Sequence, residues 1–166
     1  MTIATGDRLP EATFLEKTAD GIRPVTGADL LAGRKVVVFG LPGAYTGTCS
    51  TVHVPSFIRV ADALRAAGVD EIACVSVNDP HVMMAWGEAT GADAAGIRML
   101  SDAEGAFTRA LGLDFTNAAA GLIGRSKRYA LYATDGVVRI LNLEASPGVC
   151  DVSGGETMLA EITKAA

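Results

Sequence analysis

Residues 35–68 read KVVVFGLPGAYTGTCSTVHVPSFIRVADALRAAG. The first six, Lys35 to Gly40, form the short apolar run of a buried strand. From Val54 onward the apolar residues are Val54, Phe57, Ile58, Ala61 and Leu64. That is the rhythm of an amphipathic helix, and Gly68 ends it. Pro55 lies inside the pattern and predicts either a kink or a tight start. Between strand and helix runs Pro42-Gly43-Ala44-Tyr45-Thr46-Gly47-Thr48-Cys49. With Thr46 as N-cap, Cys49 becomes the third helical residue and the threonine hydroxyl lies near its sulfur. Unpaired backbone N–H groups and the helix dipole favour a thiolate there, and the thiolate is the nucleophilic form. An ordinary cap beside a buried structural cysteine has the same local pattern, so the motif alone leaves both readings open.

The pattern continues on both sides. Residues 12–15 read as a short edge strand, with a turn at Asp20-Gly21 and a helical turn over 29–32 closed by Gly33. Residues 71–77 (EIACVSV) form the next strand, and Asn78-Asp79-Pro80 starts a helix through Met84 and Trp86. A strand over 97–100 and a helix over 102–111, stopped by Gly112, follow. Strands over 126–134 and 137–143 flank Asp135-Gly136, a strong hairpin dipeptide. A closing helix covers 153–164, with Ser153 as N-cap and Glu156 three residues on. From Lys35 the order is β-α-β-α-β-α-β-β-α. Alternation of this kind predicts an α/β fold whose central mixed sheet is flanked by helices. Cys49 falls just beyond the C-terminal end of a central strand, where open α/β sheets hold their sites.

The 166 residues suit one domain, 1–166, with a substantial core. A net charge of −5 argues against nucleic acid or an anionic membrane surface as partner. No apolar run approaches the roughly 20 residues of a membrane span. Residues 1–10 carry neither a basic nor an apolar leader segment, so no secretory signal is expected. Three cysteines, an odd count without Cys-x-x-Cys, suit reduced thiols and a cytoplasmic setting. His53 and His81 show no metal-ligand spacing with them.

The segment PGAYTGTCSTVHVPSF resembles the active-site segment of peroxiredoxins, in the branch called type 5 or type II. The pattern Pro-x3-Thr-x2-Cys is present as Pro42, Thr46 and Cys49. Arg128, in Arg125-Ser126-Lys127-Arg128-Tyr129-Ala130-Leu131, matches that branch's late-strand arginine. Residues 69–80, 100–113 and 141–144 match as well, so the likeness runs through nearly the whole chain. It implies a thioredoxin-like fold and reduction of hydrogen peroxide or organic hydroperoxides without a cofactor. Cys49 would be the peroxidatic cysteine, oxidised to a sulfenic acid. Thr46 would orient the peroxide, Arg128 would stabilise the negative charge, and Pro42 would shield the pocket. The resemblance also implies a homodimer. Gly47 departs from it, because the branch usually has proline there. Proline pre-sets helical φ and glycine does not, so the turn carrying Cys49 should be looser.

Other roles remain to be placed. Arg125 and Lys127 read as solvated surface and His81 as a surface residue. His53, four residues after Cys49, allows a Cys–His nucleophile pair, but a helix-start residue bonded to backbone is the preferred reading, because an arginine already supplies the charge. Cys150 and Cys74 are the candidate resolving cysteines. Cys74 lies in a strand, roughly 10 Å below its end at about 3.3 Å per residue, farther than a disulfide spans. It therefore reads as core. Cys150 lies in a loop, which can travel. The alternative resolving agent is external: glutathione, glutaredoxin or thioredoxin. A peroxide-sensing relay protein, and a thioredoxin-fold interaction module with an inert Cys49, are the rival functions.

Overall fold

The computed structural model describes residues 1–166. Its centre is a seven-stranded sheet in the order β2-β1-β5-β4-β3-β8-β9. These strands are β1 (Thr13–Thr18), β2 (Gly21–Thr26), β3 (Lys35–Gly40), β4 (Glu71–Ser76), β5 (Arg98–Ser101), β8 (Tyr129–Thr134) and β9 (Val137–Leu143). A separate two-stranded ribbon pairs β6 (Asp114–Asn117) with β7 (Leu122–Ser126). The β3–β4 and β4–β5 pairs are parallel, and the β3–β8, β8–β9, β1–β5 and β1–β2 pairs are antiparallel. The expected mixed sheet is present.

Strand alternation divides the core in two. From β3, Val37 and Phe39 pack on one face with residues of α2 (Val54–Ala66), α3 (Pro80–Thr90) and α5 (Gly155–Ala165), among them Phe57, Leu64, Trp86 and Met158. Val36 and Val38 face the other side with α1 (Gly27–Leu31) and α4 (Ala106–Ala110), where Leu30 and Phe107 are buried. The Asp135-Gly136 hairpin forms as expected, with φ of 50° and 75°. Both values are positive, which a two-residue type I′ turn requires.

Several boundaries differ from the sequence reading. The first strand is not at the edge, because β2 pairs outside it. β2 contains Pro24 and is mostly exposed, so it lacks a strand's apolar alternation. The β6–β7 ribbon was likewise silent, since its residues are mostly exposed or half-buried. α4 starts at Ala106 rather than residue 102. The Asp102 carboxylate stays outside and accepts from the Phe107 and Thr108 N–H groups. α5 is capped by Gly154, not Ser153, whose hydroxyl instead donates to Glu144.

Candidate active site

The chain leaves β3 at Gly40 and runs through the buried Leu41, Pro42 and Gly43. Three hydrogen bonds that involve side chains hold this loop. The Ala44 N–H donates to Asn78 Oδ1 (3.0 Å), Arg125 Nη1–H to the Pro42 carbonyl (3.0 Å), and the Thr46 hydroxyl to the Gly43 carbonyl (2.8 Å). A Cβ on Gly43 would lie 2.3 Å from Arg125 Nη1, so the approach of that arginine requires glycine. Arg125 is thus a strap of the loop rather than solvated surface, because its guanidinium is drawn to a carbonyl the loop leaves unpaired. Tyr45, at φ 63°, adopts a left-handed conformation that costs a bulky residue energy.

Helical structure begins at Gly47, and Thr46 accepts the first helical bond from the Ser50 N–H (3.0 Å). The Thr46 side chain does not cap that helix. Its hydroxyl proton is committed to Gly43, leaving the oxygen lone pairs free to accept. The first full turn, Cys49–His53, is a π turn in which the Val54 N–H donates to the Cys49 carbonyl. Pro55 accounts for it. Proline withholds the N–H that the Thr51 carbonyl would accept in an α-helix, and the wider turn falls immediately ahead of it. Pro55 therefore marks the start of the regular helix, at N2 of α2, and not a kink within it.

Cys49 is fully buried. Arg128, also buried and one residue ahead of β8, reaches it from the strand that pairs directly with β3, where Gly40 lies opposite Tyr129. Its Nη2–H donates to Cys49 Sγ at 3.2 Å. Nη2 also donates to the Pro147 carbonyl (2.9 Å), as does Nε (3.2 Å), and Nη1 meets His53 Nδ1 at 3.0 Å. His53 Nε2 lies 3.0 Å from the Ser153 carbonyl. A carbonyl only accepts, so Nε2 carries the proton and Nδ1 accepts from Arg128. Burial first, and the Arg128 charge second, push the His53 pKa down to about 3 against the opposing backbone bond. His53 is therefore neutral and is no base for Cys49. Its bond to backbone and its place at the N-cap position of α2 match the sequence reading, and it closes the π turn as well. Its contact with Arg128, 75 residues away, carries no local sequence signal.

Four of the five guanidinium N–H groups are thus assigned, leaving one on Nη1. No cluster of three or more His, Cys, Asp or Glu comes together in a metal-binding group. Cys74 is fully buried within β4, and burial pushes its thiol up, with Cys49 adding in the same direction. Cys150 is half-buried, its Sγ 3.7 Å from the Ser153 hydroxyl, and burial likewise pushes it up. All three cysteines are free thiols. Lys127 is half-buried, and the exposed His81 faces Lys17 Nζ at 3.0 Å.

A buried thiol in the first helical turn after a central strand, facing a buried arginine, is the arrangement of a thiol-based redox enzyme. The family model described as Redoxin matches residues 4–159, and the chain belongs to that family. Peroxiredoxin-2E-2, chloroplastic, of Oryza sativa subsp. japonica is 52% identical over 162 residues, covering 95% of this chain and 72% of the relative. Peroxiredoxin-2B of Arabidopsis thaliana is 43% identical over 159 residues, covering 95% and 96%. The crystal structure of reduced Prx3 in complex with H2O2 from Vibrio vulnificus is 49% identical, covers 97% and 99%, and superposes with a TM-score of 0.90. Within the family the chain is accordingly a peroxiredoxin of thioredoxin-like fold, a thiol-dependent peroxidase.

Proposed function

We propose that Cys49 is the peroxidatic nucleophile, with Arg128, Thr46 and Pro42 completing its site. The observation that carries this reading is the 3.2 Å bond from Arg128 Nη2–H to Cys49 Sγ. The Cys49 thiolate attacks the distal oxygen of a hydroperoxide. The O–O bond breaks, an S–O bond forms, and the leaving oxygen takes a proton to depart as water or alcohol. The product is a Cys49 sulfenic acid. Arg128 holds charge on sulfur and has one unassigned Nη1 hydrogen for a peroxide oxygen, which favours in-line displacement by preorganised donors. The Thr46 hydroxyl oxygen, whose proton already goes to Gly43, accepts a hydrogen bond from the peroxide O–H. Pro42, buried in the loop, screens the sulfur from water.

Cys49 is too enclosed to meet a large reductant in place, so its turn unwinds after oxidation. An external thiol, glutathione with glutaredoxin or thioredoxin, then resolves it. Burial of Cys74 in the sheet and the Cys150–Ser153 contact support this over an internal disulfide. Residues 1–166 act as one unit in the cytoplasm, where three free thiols stay reduced. No helix is long and apolar enough to cross a membrane. The chain forms a homodimer, supported by the exposed apolar Tyr45, Val52, Val149 and Val152 on the two segments around the site.

Intact-mass spectrometry after one equivalent of peroxide tests the assignment. Wild type should gain one oxygen or, with glutathione present, one glutathione, and Cys150→Ser should behave alike. Cys49→Ser should show neither product and no turnover. An active Cys49→Ser enzyme would refute the assignment, and a Cys49–Cys150 disulfide would overturn external resolution.

A further inference from the structure

Arg128 does not owe its aim to its own strand. Apart from Cys49, every acceptor it meets is held by residues 145–153 or leans on them. The Pro147 carbonyl takes two of its bonds, and His53, which takes a third, is fixed by the Ser153 carbonyl. The same segment accepts from the Cys49 turn, through Thr48 hydroxyl to the Gly148 carbonyl (3.0 Å). Yet residues 145–153 form no helix or strand. An irregular segment that places three carbonyls with hydrogen-bond precision needs an anchor of its own.

That anchor is Glu144, a buried carboxylate at the C-terminal end of β9. Its Oε1 accepts from the Val152 N–H (2.8 Å), the Ser153 N–H (2.8 Å) and the Ser153 hydroxyl (2.9 Å). Its own N–H donates to the Arg128 carbonyl (3.0 Å). Both ends of the segment are therefore tied to one residue, itself bonded to the backbone of Arg128. Burial opposes ionisation of the carboxyl, but the bonds from Ser153 and its neighbours outweigh it and hold the group below the usual carboxylate range. A carboxylate accepting three such bonds is a strong, charge-assisted fixture.

We propose that Glu144 is a positioning residue for the peroxidase reaction: by closing residues 145–153 into a strap, it fixes the Pro147 and Ser153 carbonyls that hold Arg128 and His53 against Cys49. Glu144 touches neither sulfur nor peroxide and acts only through the strap. The proposal rests on the assignment of Cys49 and Arg128 as the reacting pair.

The test compares Glu144→Ala, Glu144→Gln and Arg128→Ala in full-length enzyme. Two quantities are read: the single-turnover rate of Cys49 oxidation by hydrogen peroxide, and the pH midpoint of Cys49 alkylation. Small misplacements of a catalytic group cost large factors in rate, so Glu144→Ala should slow oxidation by at least about tenfold. It should also move the alkylation midpoint in the same direction as Arg128→Ala. Glutamine can present its amide oxygen to all three donors, so Glu144→Gln should stay within about threefold of wild type. Should Glu144→Ala fail to fold, Glu144→Asp, one methylene too short for the strap, takes its place with the same expectation. A folded Glu144→Ala or Glu144→Asp enzyme with wild-type rate and midpoint would overturn the proposal, as would Glu144→Gln behaving like Glu144→Ala. If Arg128→Ala leaves the midpoint unmoved, the underlying assignment fails. If it shifts the midpoint and Glu144→Ala does not, only the role of Glu144 fails.

Discussion

Acidification from about pH 8 to pH 5 should destabilise the protein through one residue, His53. Its imidazole titrates at 6.5 in a free chain and at about 3 in the fold, because burial and the facing Arg128 disfavour the charged ring. The sign follows from proton counting. Below 6.5 the unfolded chain takes up a proton that the folded chain refuses, so unfolding gains. The contribution is complete above pH 6.5 and declines as the pH falls toward 3. At about pH 5 the two-state titration gives a loss of about 2 kcal/mol, growing to about 4–5 kcal/mol near pH 3. For a chain of this size the first figure corresponds to a fall in Tm of about 4–8 °C. The window is clean because the two shifted carboxyls, Glu16 and Glu144, are both lowered from 4.5. Their contributions are lost only at pH values below that. Urea unfolding of the reduced protein, followed at closely spaced pH values between 7.5 and 5, measures the effect. His53→Asn removes the titrating ring and should flatten the curve in this window, whatever its absolute stability. A wild-type curve that is flat from pH 7.5 to 5, or a His53→Asn curve that falls as steeply, would refute the reasoning.

Arg128→Ala should raise the pH at which iodoacetamide half-maximally alkylates Cys49, since it removes the cation bonded to the sulfur. An unmoved midpoint would take Arg128 out of the site. Gly47→Pro should stabilise the wound turn by about 0.4–1 kcal/mol, shifting its opening roughly two- to five-fold toward the closed form. Nothing lies within 4 Å of a Cβ at this first helical position, and φ there is not positive. A sulfenic acid that opens less often meets more second peroxide, so sulfinic acid per turnover should rise while the first oxidation is unchanged. Equal or lower yield by mass spectrometry would show that opening does not limit resolution. Cys74→Ala should retain most turnover, because its thiol is a core group within β4; loss of activity in the folded variant would give it a chemical role.

Local patterns in the chain are enough to draw the frame of this enzyme. The apolar run of β3, the rhythm of α2, the Asp79-Pro80 helix start and the Asp135-Gly136 turn each encode structure over a few residues, and each appears where the pattern places it. Their order yields a mixed sheet with Cys49 beyond the end of β3. Likeness to a known family adds Arg128, which no periodicity distinguishes from Arg125 three residues earlier. What surrounds the sulfur is not local. His53 meets Arg128 across 75 positions and Ser153 across 100, and Arg125 reaches Pro42 across 83. Such contacts depend on strand register and on the course of an irregular strap, and neither leaves a periodic mark. The π turn follows from Pro55 and is local, but the partner of the Thr46 side chain is not fixed by its position in the sequence. Ser, Thr and carboxylate side chains have several backbone partners in reach, and packing selects among them. Thr46 serves Gly43, Ser153 serves Glu144, and Asp102 serves the start of α4, because the folded chain brings those partners within reach.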